Sequence, residues 1–221
     1  MPTIHTEGDR AQLVLEWLSW ADNDYIAARL LLRRRLLIQG AALANTALEK
    51  YFKALCILLG TKIPHIHDIR ALYRQIITEI ISLKLNEDFV GLLFKAYKLR
   101  YPDDLKPGFN IAINGVSLLT ELDKSVFAIR KGFGFGTDEK PVTTVFDTWR
   151  ESSSDELVGD NCYFGTADRG ELFKGTSSNY EFRVLDNGTF LEATYLSENI
   201  PDNDDRFMSE GLKPSGRAVS Q

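Results

Sequence analysis

Three basic side chains in this sequence suit an anion. Lys50 and Lys53 stand three residues apart, which places them as neighbours on one face of a helix. Arg100 adds a planar fork that matches phosphate or carboxylate in two directions. Their alternative role is an ion pair with Glu49, Asp103 or Asp104. Tyr73 and Tyr101 offer rings on which a base can stack. His65, His67 and Asp68 are the only cluster of metal-ligand types, with both imidazoles on one side of an extended segment. They are weak metal candidates, because Asp68 at a helix start suits the N-terminal dipole with no ligand at all. The remaining histidine, His5, completes no Ser-His-Asp or Cys-His arrangement. Arg33, Arg34 and Arg35 read as an exposed helix end, and the alternating glycines of Gly132 to Gly136 as a hinge rather than a phosphate loop.

The elements that must position these groups are helical at first. Spacing predicts a helix from about Asp9 to Ile38, burying Leu13, Trp17, Trp20, Ala27 and Leu31 and ended by Gly40. A second runs from Ala41 to Leu59 with the clean period Ala41, Asn45, Leu48, Phe52, Leu55, Leu59, and Gly60 stops it. A third opens at His67–Asp68 and carries Ile69, Tyr73, Ile76, Ile80 and Leu83. Asn86 caps a fourth that buries Phe89, Leu92, Leu93 and Ala96 and ends near Tyr101, because Pro102 disfavours helix in the residue before it. After a loop through Pro107 and Gly108, a fifth spans about Ser117 to Arg130. Five helices with short links make an up-and-down bundle, with no strand expected between Trp17 and Arg130.

Texture and charge both change after this point. Residues 1–132 hold 18 Lys and Arg against 14 Asp and Glu, whereas residues 133–221 hold 8 against 17. The fold class is therefore mainly α: a bundle over 1–132, then an acidic extension over 133–221 that is β-rich or partly disordered. Tyr180–Leu185 and Thr189–Tyr195 flank Asp186-Asn187-Gly188, a hairpin signal near 180–195. Weaker strand candidates are Val142–Phe146, Asn161–Phe164 and Glu171–Lys174, and from Ser197 onward the composition is that of a mobile tail. The longest apolar run, Ala54 to Leu59, is far short of the ~18 residues of a membrane span. Cys56 and Cys162 are too few for a disulfide scaffold, and MPTIHTEGDR lacks a signal-peptide layout. The expectation is a cytoplasmic protein that does not engage a membrane and needs no cofactor.

Four local patterns then fall in order: Trp20-Ala21 with Asp24, Glu49-Lys50 with Lys53-Ala54, His67-Asp68, and Arg100-Tyr101-Pro102. Together they make the stretch from Trp17 to Pro102 resemble the HEPN domain family. The resemblance implies a helical bundle that usually forms a homodimer and often partners a minimal nucleotidyltransferase in toxin–antitoxin-like or defence systems. Some branches of the family are metal-independent ribonucleases built on Arg, four to six residues, then His. No arginine stands five to seven residues before His65 or His67, and no histidine follows Arg100. What is left resembles the Arg-Tyr-Pro branch, which binds nucleotides or assists a nucleotidyltransferase without catalysis. On that reading Lys50, Lys53 and Arg100 take phosphates of a nucleotide or RNA, Tyr101 stacks on the base, and His67 and Asp68 orient the pocket. The alternatives are a divergent ribonuclease toxin, and an interaction scaffold that recruits partners through its acidic half.

Overall fold

The computed structural model describes residues 7–63, 65–131 and 143–198. Its elements, in chain order, are α1 (Gly8–Arg33), α2 (Leu37–Leu58), α3 (Ile69–Glu79), α4 (Glu87–Lys98), a 3-10 turn (Pro102–Asp104), β1 (Asn110–Asn114) and α5 (Gly115–Arg130). Three short helices follow, α6 (Val145–Glu151), α7 (Asp155–Val158) and α8 (Arg169–Leu172), and then β2 (Thr176–Val184) and β3 (Phe190–Glu198). The protein is mainly helical. Helix α2 is central, packing along α1 and touching α3, α4 and α5. Its expected face is fully buried at Ala41, Asn45, Leu48, Phe52 and Leu55, whereas Leu59, just past the helix end, is half-buried. Each large side chain there contributes roughly 1.5–3 kcal/mol of apolar burial.

The α1–α2 corner differs from the sequence expectation. Helix α1 stops at Arg33 and α2 already begins at Leu37, so Gly40 lies inside a helix instead of ending one. The reversal is made at Arg35, whose φ of 64° is left-handed. Gly40 serves close approach instead: a Cβ there would meet Leu32 Cδ2 at 2.6 Å. The buried face of α1 is also displaced from the expected one. Val14, Leu18, Ala21, Tyr25, Ala28 and Leu32 point inward, while Leu13 and Trp20 are exposed. Two charged residues, Asp22 and Arg29, sit on that inward face with no exposure, which blurs its apolar signal.

Those two charges anchor the segment after α5. Arg29 pairs with Asp123 of α5 and donates to the carbonyls of Glu156 and Gly159. Tyr25 Oη donates to Asp123 at 2.7 Å. Asn161 in turn reaches Tyr25 Oη and caps the loop by accepting from the Tyr163 and Phe164 amides. Asp22 accepts from Tyr51 Oη and Arg130 at 2.6 Å each and from the Phe146 amide at 3.2 Å. Arg130 also lies 3.9 Å from the Phe146 ring and donates to Thr144, whose side chain forms a capping box with Asp147 at the start of α6.

The sheet corrects two further expectations. β1 is a strand within the stretch expected to be all helix, and it pairs antiparallel with β2, Ile111 facing Phe182 and Ile113 facing Tyr180. Its Ile111 and Ile113 share the buried face with Tyr180, Phe182 and Val184. The hairpin of β2 and β3 forms as expected, although only Gly188 takes a positive φ. Of the weaker strand candidates, residues 145–151 and 169–172 are helical and Asn161–Phe164 form a turn, because side-chain caps at Thr144, Asp168 and Asn161 close local hydrogen bonds there. His5, Gly132–Gly136, Val142 and the tail from 199 lie outside the described residues.

Candidate functional site

The predicted site residues fall on a row that crosses α2, the α2–α3 link and α4. Glu49 is almost fully buried, and one of its oxygens accepts from Lys53 Nζ at 2.8 Å and from His67 Nδ1 at 2.9 Å. Lys53 also lies 5.5 Å from the ring of Trp17. One turn away, Lys50 donates to Asp24 at 2.7 Å. Both lysines therefore have carboxylate partners, and Glu49 is the partner that the ion-pair alternative named for this face. His65 is exposed beside this cluster, and among the described residues no group of three potential ligands is placed to hold a metal.

Asp68 is the next link. It caps α3 by accepting from the Arg70 and Ala71 amides, and it takes a bidentate contact from the Arg70 side chain at 3.0 and 2.7 Å. The Arg70 hydrogen bond holds its carboxyl below the usual range. Arg70 then spreads its guanidinium 3.7 Å over the ring of Phe94, and Lys98 approaches the same ring at 4.7 Å. Arg100 closes the row, 4.8 Å from the Tyr97 ring and 5.5 Å from that of Tyr101. It has no acidic partner among the described residues, and Tyr101 is half exposed.

The structure thus gathers Lys53, His67 and Asp68 with Lys50 close by, whereas Arg100 and Tyr101 stand apart at the far end of α4. No described contact joins Arg100 to either lysine. What lies around Arg100 is a surface that the residue-by-residue reading missed. Phe94, Tyr97, Lys98 and Tyr101 recur at i, i+3, i+4 and i+7, which is one face of α4 continued past its end. That pattern was available in the sequence. It is masked by the apolar face on the opposite side, Phe89, Leu92, Leu93 and Ala96, which accounts for the helix by itself. Rings interleaved with Arg70, Lys98 and Arg100 can stack bases and attract a phosphate backbone without reading sequence.

Comparison with known protein families matches residues 14–123 to the HEPN domain. These residues are a HEPN domain. The match runs from the first buried turn of α1 to Asp123 in α5, so it takes in the whole row and both acids of the buried network. No curated protein and no solved structure matches the chain significantly. Beyond the HEPN domain lie the short helices α6 to α8 and the hairpin, which returns to pair with β1 inside the matched region. No helix among the described residues is long and apolar enough to cross a membrane.

Proposed function

We propose that this HEPN domain binds a nucleotide or a short single strand of RNA without cleaving it, on the outer face of α4. The observation behind this reading is the Arg100 guanidinium lying between two partly exposed tyrosines with no carboxylate to neutralise it. Arg100 and Lys98 meet phosphates, Tyr97 and Tyr101 meet base faces, and Arg70 is held in line by Asp68. The lysines of α2 act one step back. Lys53 and Glu49 fix His67, and His67 leads directly into the cap of α3 that positions Arg70. Among the described residues no arginine contacts His67, so the Arg–His pair of the ribonuclease branches has no counterpart at this histidine.

A homodimer or a minimal nucleotidyltransferase partner belongs to the same reading, supported by the HEPN match and by the exposed Leu13 and Trp20 flanking Trp17 on α1. Light scattering on the eluting protein tests the dimer, and a monomer at all concentrations excludes it. Titration of the folded chain with ATP, GTP and a short RNA tests binding. Saturable heat that is weakened by Arg100→Ala and by Tyr101→Ala is the expected result, and a flat titration refutes the proposal. Cleavage of the RNA that disappears in Arg100→Ala would favour the ribonuclease alternative instead.

A further inference from the structure

A second recess lies at the opposite end of α2. It is a cavity of about 230 Å³ between the α1–α2 corner, the start of α5 and the start of β2. Leu32, Leu37 and Leu119 give it an apolar floor, and Thr120 and Ser178 supply hydroxyls. Thr120 is 5% exposed and Ser178 is 8% exposed, and neither hydroxyl has a hydrogen-bond partner among the described residues. Both hydroxyls open onto the cavity, so they are left to what fills it, water or a ligand with acceptor oxygens.

The cationic partner is Arg35. It lines the same cavity and makes no ion pair among the described residues. Its φ of 64° is a conformation that glycine or asparagine adopts at less cost, so the position would be easier to fill without the guanidinium. The start of α5 adds a favourable field for negative charge. It adds few donors, since the Val116 amide is taken by Ser177 and the Ser117 amide by Asn114. Arg33 also borders the cavity but is engaged by Asp155 at 2.9 Å and Asp160 at 3.0 Å. Among the described residues Asp160 is the one opposing charge on the wall, and its pairing with Arg33 offsets it.

We propose that this cavity binds a small phosphate monoester with a short apolar body, its phosphate on Arg35, Thr120 and Ser178 and its body on the leucines. The volume is below the roughly 300–1,000 Å³ of drug-sized sites, which restricts the ligand to a compact molecule. The site shares no lining residue with the α4 face. From Leu37 to Lys53 along α2 is about 24 Å at ~1.5 Å per residue.

Phenyl phosphate is the probe, followed by thermal unfolding and calorimetry on the full chain. A saturable rise in melting temperature is expected. Arg35→Gly relieves backbone strain and so should fold at least as well as the parent, while phenyl phosphate binds it roughly tenfold more weakly or worse. Asp160→Asn keeps a residue tolerant of its φ of 52°, removes the opposing charge, frees Arg33, and should tighten binding several-fold. Arg100→Ala should leave phenyl phosphate binding unchanged, which separates this site from the α4 face. Absence of a saturable shift in the parent, or the same shift in Arg35→Gly, overturns the proposal. Equal binding of benzoate overturns the assignment to phosphate.

Discussion

Arg130 and Arg70 make nearly the same contact in two parts of the molecule. Each spreads over a phenylalanine, 3.9 Å from Phe146 and 3.7 Å from Phe94, and each also pairs with an aspartate, Asp22 or Asp68. Their surroundings differ. The Arg130 side chain is 10% exposed and Asp22 is fully buried, whereas Arg70 and Asp68 are 42% and 34% exposed. In the first place, water has been replaced by fixed partners, so the pair holds the segment after α5 against the bundle and has no reach left for a ligand. In the second, water still screens the charges, so the pair adds little stability and stays open to exchange for a phosphate or a base. Burial, not the contact, is what separates the two pairs.

The comparison breaks most easily at Asp123. Asp123→Asn keeps the shape but leaves Arg29, which has no exposure, without an opposing charge. Removing one partner of a buried pair costs about 3–5 kcal/mol, a large part of the ~5–15 kcal/mol that holds an ordinary domain together. The urea midpoint should fall steeply, and an unchanged midpoint would show that the Arg29–Asp123 pair is not what anchors α7.

A second test uses pH. Burial is the largest cause raising the Asp22 and Asp123 carboxyls above their ordinary value of 3.8, and Arg130 and Arg29 only partly offset it. The folded state therefore holds these protons more tightly than the unfolded chain. Their contribution to stability is fully present below pH 3.8 and is lost as pH rises through the raised values. Asp22→Asn cannot titrate, so the parent's stability minus the variant's should fall from acid toward neutral pH. Urea curves at a series of pH values measure that difference, and a difference that rises contradicts the sign.

How much of this was legible beforehand also follows burial. The α2 face, the Asn86 cap and the hairpin turn each rest on local rules, and each was readable. The inward face of α1 was not, because Asp22 and Arg29 interrupt its apolar period and their partners lie about a hundred residues later. β1 was missed for a similar reason. Asn110–Asn114 alternates only twice, and its partner strand begins at Thr176. At the α4 face, Arg100 and Tyr101 stood out through the family pattern, while Arg70 could not be joined to Phe94 without knowing how α3 and α4 pack.

The exposed side of the comparison gives smaller effects. Asp68→Ala removes the cap of α3 and lets Arg70 go, for a loss of about 1 kcal/mol, the usual worth of an N-cap. Thermal unfolding should show a shift of a few degrees. No shift would mean that the α3 start is held by packing at Ile69 and Leu72 alone.

Arg100→Ala sharpens the contrast most, because it should barely register in stability. Arg100 is exposed and, among the described residues, its side chain meets only the rings of Tyr97 and Tyr101, so its loss should change unfolding by no more than about 0.5 kcal/mol. Binding of single-stranded RNA should respond differently. If the guanidinium neutralises one phosphate, the slope of log affinity against log salt should fall by ~0.7, the value for one contact on a single strand. Arg130 offers the opposite case, since its charge is already spent on Asp22 and reaches no solvent-borne phosphate. A variant that loses stability at Arg100, or that leaves the salt slope unchanged, would place Arg100 with Arg130 as a structural arginine and would leave the α4 face without its anion anchor.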